Sequence, residues 1–228
     1  MSKNENNPLK IVAFGDSLTF GHGIEKNENK WTSIIERELN YEVINSGING
    51  NTSTQGLSRI KEDVLVYKPD YVIVNFGMND HFMNDYNIPK TPLDGYRANL
   101  IKIAELIIAE GGTPVFVIPH KILEGEKGDD NGKGATYYYG RHPYKFYRDV
   151  EGANSQLKRY CDVIKEVAET LKLPLVDMYS ATENLNPHEF LITLENSSEE
   201  DGVHINDQGA RLYGENIIKK LNEIIKTK

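Results

Sequence analysis

The alternation of short β-forming runs with longer segments of helical period is the feature that most restricts the fold of this 228-residue chain. Such alternation requires a parallel sheet covered by helices on both faces. The predicted strands are residues 11–14, 41–45, 71–76, 114–118 and 175–177. Helices are predicted from apolar stripes, spaced by three or four residues, that start at Trp31, Leu57, Tyr96, Leu157 and Ala210. For five such strands, the sequence predicts the common sheet order 2-1-3-4-5.

We expect one domain over residues 1–228, since no internal repeat and no long linker rich in Pro, Gly or Ser divides the chain. Residues 119–153 depart from the alternating pattern: they are rich in glycine and then, over 137–147, in aromatic and basic side chains. A connection of this length is typical of a functional loop or of a disordered one. The sequence predicts an inserted loop or lid at about 119–153, whose aromatic part suits an apolar lid, a sugar-stacking surface or a homo-oligomer interface.

Charge and cysteine content exclude several classes of function. With 26 basic and 34 acidic side chains the net charge is −8, which disfavours nucleic acid and anionic lipid as partners. The single cysteine, Cys161, allows no intrachain disulfide and is expected to be a packing residue. The polar residues 1–10 and the short apolar run after them match neither a signal peptide nor a membrane span. We therefore expect a cytoplasmic protein without membrane insertion.

Chemically useful residues follow the first three predicted strands. In the order 2-1-3, neighbouring strands are about 4.8 Å apart, so Ser17, Gly50 and Asn79 would emerge side by side at one edge of the sheet. A serine with two N–H donors beside it suits attack on an ester, because the donors stabilise the tetrahedral oxyanion. His204 could accept the serine proton, and Asp201 could orient the imidazole.

Four segments are similar, in order and rough spacing, to the conserved blocks of the SGNH hydrolase superfamily, the GDSL-type esterases and lipases. They are FGDSLT at residues 14–19, GNTS at 50–53, GMND at 77–80 and DGVH at 201–204. The resemblance extends from residue 11 to about 218. It implies a flavodoxin-like three-layer α/β/α sandwich and hydrolysis of carboxylic esters or thioesters without a metal.

The same resemblance implies a role for each matching residue. Ser17 would be the nucleophile, and its own N–H would join the oxyanion hole. Gly50 would add a backbone N–H and Asn79 a side-chain amide. His204 would act as general base and then as general acid, oriented by Asp201.

Two points about the site stay open at the level of sequence. Gly47 competes with Gly50 for the glycine role, and Gly50 is preferred because residues 50–53 fit the block better. Further candidates for substrate contact are Asp16, His81, His120 and Tyr138. Both of these histidines follow predicted strands, whereas Asp16 is also expected to brace the turn before the serine.

The sequence predicts a serine esterase that acts on short-acyl esters, acetyl above all, of a carbohydrate or small alcohol through an acyl-enzyme on Ser17. A lysophospholipase or an acyl-thioesterase of the same family is the alternative activity. The alternative from another class is a non-catalytic, flavodoxin-like module that binds a small ligand. We expect no cofactor and no metal site: the zinc helix motif fails because Ile192 stands where a second histidine would follow His188.

Overall fold

A computed structural model describes residues 9–226 of the chain. Most of the polar amino end, residues 1–8, lies outside this range. In chain order the strands are β1 (Lys10–Gly15), β2 (Glu42–Gly47), β3 (Tyr71–Asn75), β4 (Met83–Asp85), β5 (Ile88–Pro89), β6 (Thr113–Ile118) and β7 (Leu175–Asp177). The helices are α1 (Ser17–Phe20), α2 (Trp31–Leu39), α3 (Ser53–Asp63), α4 (Leu93–Ala109), α5 (Tyr137–Arg141), α6 (Ala153–Leu171), α7 (Met178–Thr182), α8 (Pro187–Phe190) and α9 (Asp207–Ile225).

Five strands form one parallel sheet in the order β2-β1-β3-β6-β7. These are the five predicted strands, with ends shifted by no more than two residues, and the order 2-1-3-4-5 is confirmed. The sequence analysis missed the small antiparallel hairpin of β4 and β5. With two and three residues, these strands are too short to show a period.

Helices cover both faces of the sheet. Successive residues of a strand point to opposite faces of the sheet, and every residue of β1 after Lys10 is buried. Both faces of β1 are therefore covered. Val12 and Phe14 belong to a cluster with residues of α3, α4 and α6, whereas Ile11 and Ala13 pack with residues of α2 and α9. The structure is therefore the expected three-layer α/β/α sandwich.

Side-chain caps start the two helices that border the carboxyl edge of the sheet. Thr52 and Gln55 form a capping box at the start of α3, in which each side chain bonds the other residue's backbone N–H. The Asn206 side chain caps α9, because it accepts hydrogen bonds from the N–H groups of Gln208 and Gly209. Both helices thus begin at fixed points next to the loops that carry the candidate residues.

The inserted segment, residues 119–153, packs on the core instead of lying free. It contains α5 and a 3₁₀ turn over Tyr144–Val150, and three of its tyrosines, Tyr138, Tyr139 and Tyr147, are buried in the cluster on the α3, α4 and α6 side. The hydroxyls of Tyr138 and Tyr147 are hydrogen-bonded at 2.7 Å. These rings are therefore core residues, which removes them from a sugar-stacking surface.

We predict that Gly47→Ala destabilises the protein by about 1–3 kcal/mol, the range for overpacking. A Cβ at Gly47 would lie 2.2 Å from the backbone nitrogen of Phe20, so β2 and α1 would have to separate. Urea unfolding measures the change. The matched control is Gly95→Ala in α4, where the nearest atom would be 3.8 Å away and stability should be equal or up to about 1 kcal/mol higher. Equal effects of the two substitutions would contradict the packing argument.

Candidate active site

Ser17 is the first residue of a short helix that follows β1, the strand between β2 and β3. Between β1 and α1, Asp16 caps the helix: its Oδ1 accepts a hydrogen bond from the N–H of Leu18 at 2.9 Å. The indole N–H of Trp31 donates to the Leu18 carbonyl at 2.8 Å, and α1 ends at Gly21 in the left-handed conformation. This strand, cap and four-residue helix hold Ser17 at the carboxyl edge of the sheet.

Ser17, His204 and Asp201 form a hydrogen-bonded series across this edge. His204 Nε2 lies 3.0 Å from Ser17 Oγ, and His204 Nδ1 lies 2.9 Å from Asp201 Oδ2. If the Nδ1 proton is donated to the carboxylate, Nε2 carries a lone pair and accepts from the serine hydroxyl. The arrangement therefore has the geometry in which a histidine removes the proton of a serine.

Asp201 is held as a carboxylate by several donors. Its Oδ1 accepts from the backbone N–H groups of Val203 and His204, at 2.7 and 2.6 Å. Burial acts to raise the pKa of Asp201, but the hydrogen bonds and charge of His204, with the two backbone N–H groups, outweigh it and keep the pKa well below its ordinary value. Arg141 also contacts this carboxylate, through Nη1 at 3.1 Å.

The loop that carries His204 is supported from below by a buried histidine. His120, which follows β6, has Nε2 at 2.8 Å from the Val203 carbonyl and Nδ1 at 2.8 Å from the hydroxyl of Tyr213 on α9. Burial lowers the pKa of His120 to about 4, so the ring is neutral at neutral pH. A neutral imidazole has one donor and one acceptor, which suits the carbonyl on one side and the hydroxyl on the other.

Gly50 and Asn79 lie on the cavity wall near Ser17. Gly50 has φ +76°, a conformation that favours glycine, and within residues 9–226 its N–H has no acceptor. Asn79 Nδ2 donates to Asp16 Oδ2 and to the Asn51 carbonyl, each at 3.1 Å. Gly47 does not line the cavity but packs on α1, which favours Gly50 for the glycine position.

Buried polar side chains fix the loops that carry these donors. The Asp80 carboxylate accepts from the N–H and hydroxyl of Ser53 and from the N–H of Gly77, which joins the start of α3 to the loop after β3. Arg59 of α3 donates to the main-chain carbonyls of Gly15 and Ser46, at 2.9 Å each. Its Nε also donates to the side chain of Asn51 at 2.9 Å, next to Gly50.

The series opens onto a cavity of about 230 Å³. Its lining consists of Ser17, His22, Asn49, Gly50, Met78, Asn79, Phe82, Arg141, His142, Val203 and His204. The sequence analysis singled out neither His22 nor Phe82 for the site, and it noted Arg141 and His142 only as members of the aromatic and basic cluster. The His22 ring centroid lies 4.3 Å from that of His204, and its position five residues after the serine was the available indication.

The structure corrects the expectation of direct substrate contact for Asp16, His81, His120 and Tyr138. All four side chains have 0% exposure, and none lines the cavity. His81 Nε2 pairs with the hydroxyl of Tyr138 at 3.2 Å, and burial lowers the pKa of His81 to about 3. Fully enclosed side chains brace the loops around the cavity, so a bound ester would not touch them.

Among residues 9–226, no group of three or more His, Cys, Asp or Glu side chains is arranged to hold a metal ion. In the same part of the chain, none of the helices combines the length and apolar character that crossing a membrane requires.

Comparison with known proteins gives matches over most of the chain. The model of the GDSL-like lipase/acylhydrolase family matches residues 13–212. A Bacillus subtilis (strain 168) protein named uncharacterized lipoprotein YqeF is 30% identical over 222 residues, covering 91% of this chain and 87% of its own. An acetylxylan esterase of Geobacillus stearothermophilus is 40% identical over 111 residues, covering 40% and 50%. The crystal structure of a lipase/acylhydrolase from Enterococcus faecalis has a TM-score of 0.70 and 26% identity, covering 93% and 95%.

We predict that Asp16→Asn removes a pH-dependent loss of stability. Burial, aided by the charge of Asp80, raises the pKa of Asp16 to about 7 against the opposing hydrogen bonds of Leu18 and Asn79 and the charge of His204. The folded protein therefore keeps this proton up to about pH 7, whereas the unfolded chain loses it near pH 4. Stability from this group falls as the pH rises through that window, by about 1.4 kcal/mol for each unit of the shift.

Urea unfolding of both proteins from pH 4 to pH 8 measures this effect. The free energy of unfolding of the variant should rise relative to wild type between pH 4 and 7, and the difference should then level off. Glu36→Gln, on the exposed surface of α2, is the control and should give a difference independent of pH. A constant difference for Asp16→Asn would contradict the assignment.

Proposed function

The chain belongs to the GDSL-like lipase/acylhydrolase family and is an ester hydrolase of the GDSL/SGNH type, and we propose that it removes short acyl groups, acetyl above all, from a carbohydrate or small alcohol. The observation that carries this proposal is the series Asp201, His204 and Ser17 at the wall of a small cavity. The catalytic roles of Ser17, His204 and Asp201 are part of the same proposal.

Acylation begins when Ser17 Oγ attacks the ester carbonyl carbon while His204 Nε2 takes the hydroxyl proton. The carbonyl π electrons move to the oxygen, which becomes the tetrahedral oxyanion. When the carbon–oxygen bond to the alcohol breaks, His204 gives its proton to the leaving oxygen, and an acyl ester on Ser17 remains. Water then attacks that ester with His204 as base, and the carboxylic acid is released while Ser17 regains its proton.

The oxyanion would be bound by the N–H groups of Ser17 and Gly50 and by the side-chain amide of Asn79. Loss of one such donor costs about 2.7–4 kcal/mol of transition-state stabilisation in known cases. The Asn79 amide already donates to Asp16 and to the Asn51 carbonyl, so its orientation is fixed before the substrate arrives. An oxyanion would share these hydrogens with the two protein acceptors, and the Gly50 N–H is the less engaged donor.

The lining and the volume of the cavity favour an ester with a short acyl group and a polar alcohol. His204 must reach the leaving oxygen, so the alcohol lies on its side, where His22 and Asn49 supply polar groups. The acyl group would then contact the apolar part of the lining, to which Met78 and Phe82 belong. At about 230 Å³ the cavity is smaller than the 300–1,000 Å³ typical of drug-sized ligands. The acetylxylan esterase among the relatives agrees with an acetylated carbohydrate.

The proposal extends to the organisation of the chain. We propose a single SGNH hydrolase-like domain over residues 1–228 with the inserted segment at 119–153; the family match over residues 13–212, which includes that segment, supports it. The cytoplasmic location stays a prediction of the sequence, and the relative from Bacillus subtilis is named as a lipoprotein. The homo-oligomer likewise stays a prediction.

An acyl-chain series tests the activity and the substrate together. We expect p-nitrophenyl acetate to be hydrolysed with a higher kcat/KM than the octanoate and palmitate esters. Ser17→Ala should lower kcat by at least about 10³-fold and abolish labelling by a fluorophosphonate. Ser58→Ala, an exposed serine on α3, is the control. Turnover undiminished by Ser17→Ala would refute the mechanism, and preference for palmitate would refute the short-acyl substrate and favour the lysophospholipase or thioesterase alternative.

Phe82→Ala should shift the preference towards longer acyl chains, because removal of the ring enlarges the apolar part of the cavity that is proposed to hold the acyl group. We expect the ratio of kcat/KM for butyrate to that for acetate to rise about tenfold, since each buried CH₂ contributes about 0.8 kcal/mol. Tyr67→Ala, an exposed aromatic residue outside the cavity lining, is the control. An unchanged ratio in Phe82→Ala would place the acyl group elsewhere.

A further inference from the structure

Arg141, at the end of α5 in the inserted segment, donates two hydrogen bonds to Asp201. Its Nη1 donates to Asp201 Oδ2 at 3.1 Å, and its Nη2 donates to the main-chain carbonyl of the same residue at 2.5 Å. The Asp201 side chain is 4% exposed, whereas that of Arg141 is 44% exposed. A guanidinium is planar and rigid, so it can hold a carboxylate and a carbonyl at the same time, which a lysine ammonium does less well.

We propose that Arg141 is a positioning residue that fixes Asp201 for its contact with His204. The inserted segment then has two roles: its tyrosines pack in the core, and its Arg141 orients a residue of the active site. This inference rests on the proposed function, in which Ser17, His204 and Asp201 carry the chemistry.

The donors around Asp201 show why the contact matters. Oδ1 is held by the N–H groups of Val203 and His204, and Oδ2 by the His204 ring and Arg141. Without Arg141, Oδ2 keeps only the imidazole, the Asp201 carbonyl loses its guanidinium donor, and the carboxylate gains freedom to turn. Misplacement of a catalytic group by about 1 Å can lower a rate about 100-fold, so a small turn has a measurable effect.

The alternative role for Arg141 is contact with an anionic substrate, since the side chain lines the cavity. The two roles differ in what they do to kinetics. A positioning residue acts on kcat for every ester, including a small neutral one. A substrate contact acts on KM, and only for esters that carry a negative charge.

The experiment compares Arg141→Met and Arg141→Lys with wild type, using p-nitrophenyl acetate as the neutral ester and the p-nitrophenyl monoester of succinate as the anionic one. Arg148→Met is the matched control: Arg148 lies in the same inserted segment and pairs with Asp130 on the exposed surface. The measurements are kcat and KM for each ester. Urea unfolding reports whether each variant is folded.

For Arg141→Met we expect kcat with the neutral ester to fall 10- to 100-fold while KM changes less than twofold. Arg141→Lys keeps the positive charge but cannot make both hydrogen bonds with the same geometry, so kcat should fall by an intermediate factor. Arg148→Met should match wild type.

Two outcomes would overturn the proposal. One is an Arg141→Met variant that behaves like Arg148→Met; the other is a loss confined to KM for the succinate ester. If Arg141→Met does not fold, the folded Arg141→Lys variant decides, and a kcat equal to wild type would refute positioning. Failure of the proposed function itself looks different, because wild type would then neither turn over the esters nor be labelled at Ser17.

Discussion

The register of the three adjacent strands β2, β1 and β3 is the constraint on which the rest of the structure depends. Gly15, at the end of β1, is paired with Gly47 on one side and with Asn75 on the other. Because the three strands run parallel and end at the same level, the loops that follow them start side by side. A slip of one residue would turn the alternating side chains of β1 to the wrong faces, so burial on both faces fixes this register strongly.

Polar groups next to the sheet convert this register into a fixed site. Asp16 and Asp80 lie in the loops that follow β1 and β3, and Arg59 of α3 reaches the main-chain carbonyls of Gly15 and Ser46 near the ends of β1 and β2. In a buried environment, unpaired polar groups destabilise a protein strongly, so such a network is favourable only when its members are satisfied together. The raised pKa of Asp16 shows the opposing effect, since its burial disfavours the charged form despite its hydrogen bonds.

The strands, their order and the residues around Ser17 could be predicted because each depends on a local pattern. Apolar runs mark the strands, and Ser17, Asn79 and His204 stand directly after strands or before a helix, in blocks with a recognisable order. The contributions of Arg141 and His22 could not be predicted in this way. Arg141 lies in the inserted segment and His22 in the turn after α1. The path of the inserted segment depends on long-range contacts such as the burial of Tyr138 and Tyr147.

The errors of the sequence analysis have one physical origin. Polar residues after a strand can either face a cavity or brace a loop, and the sequence does not separate the two. His81 and His120 both follow strands, yet each is fully buried and bonded to a tyrosine. Burial of an imidazole with two partners is stable only in the neutral form, and the lowered pKa of each ring agrees with that. Their position was predictable, but the direction of their side chains depended on tertiary packing.

The placement of Asp201 and His204 on a loop explains why so many supports converge there. A loop is less rigid than a strand or helix, and catalytic geometry tolerates only small displacements. From the sheet side, His120 holds the Val203 carbonyl with a neutral hydrogen bond, and the Tyr213 hydroxyl in turn bonds the other nitrogen of the His120 ring. From the outer side, Arg141 holds Asp201 with a charged one. The neutral His120 adds no charge next to the Asp201 and His204 pair. The Arg141 guanidinium, by contrast, orients the Asp201 carboxylate and also places a positive charge beside it.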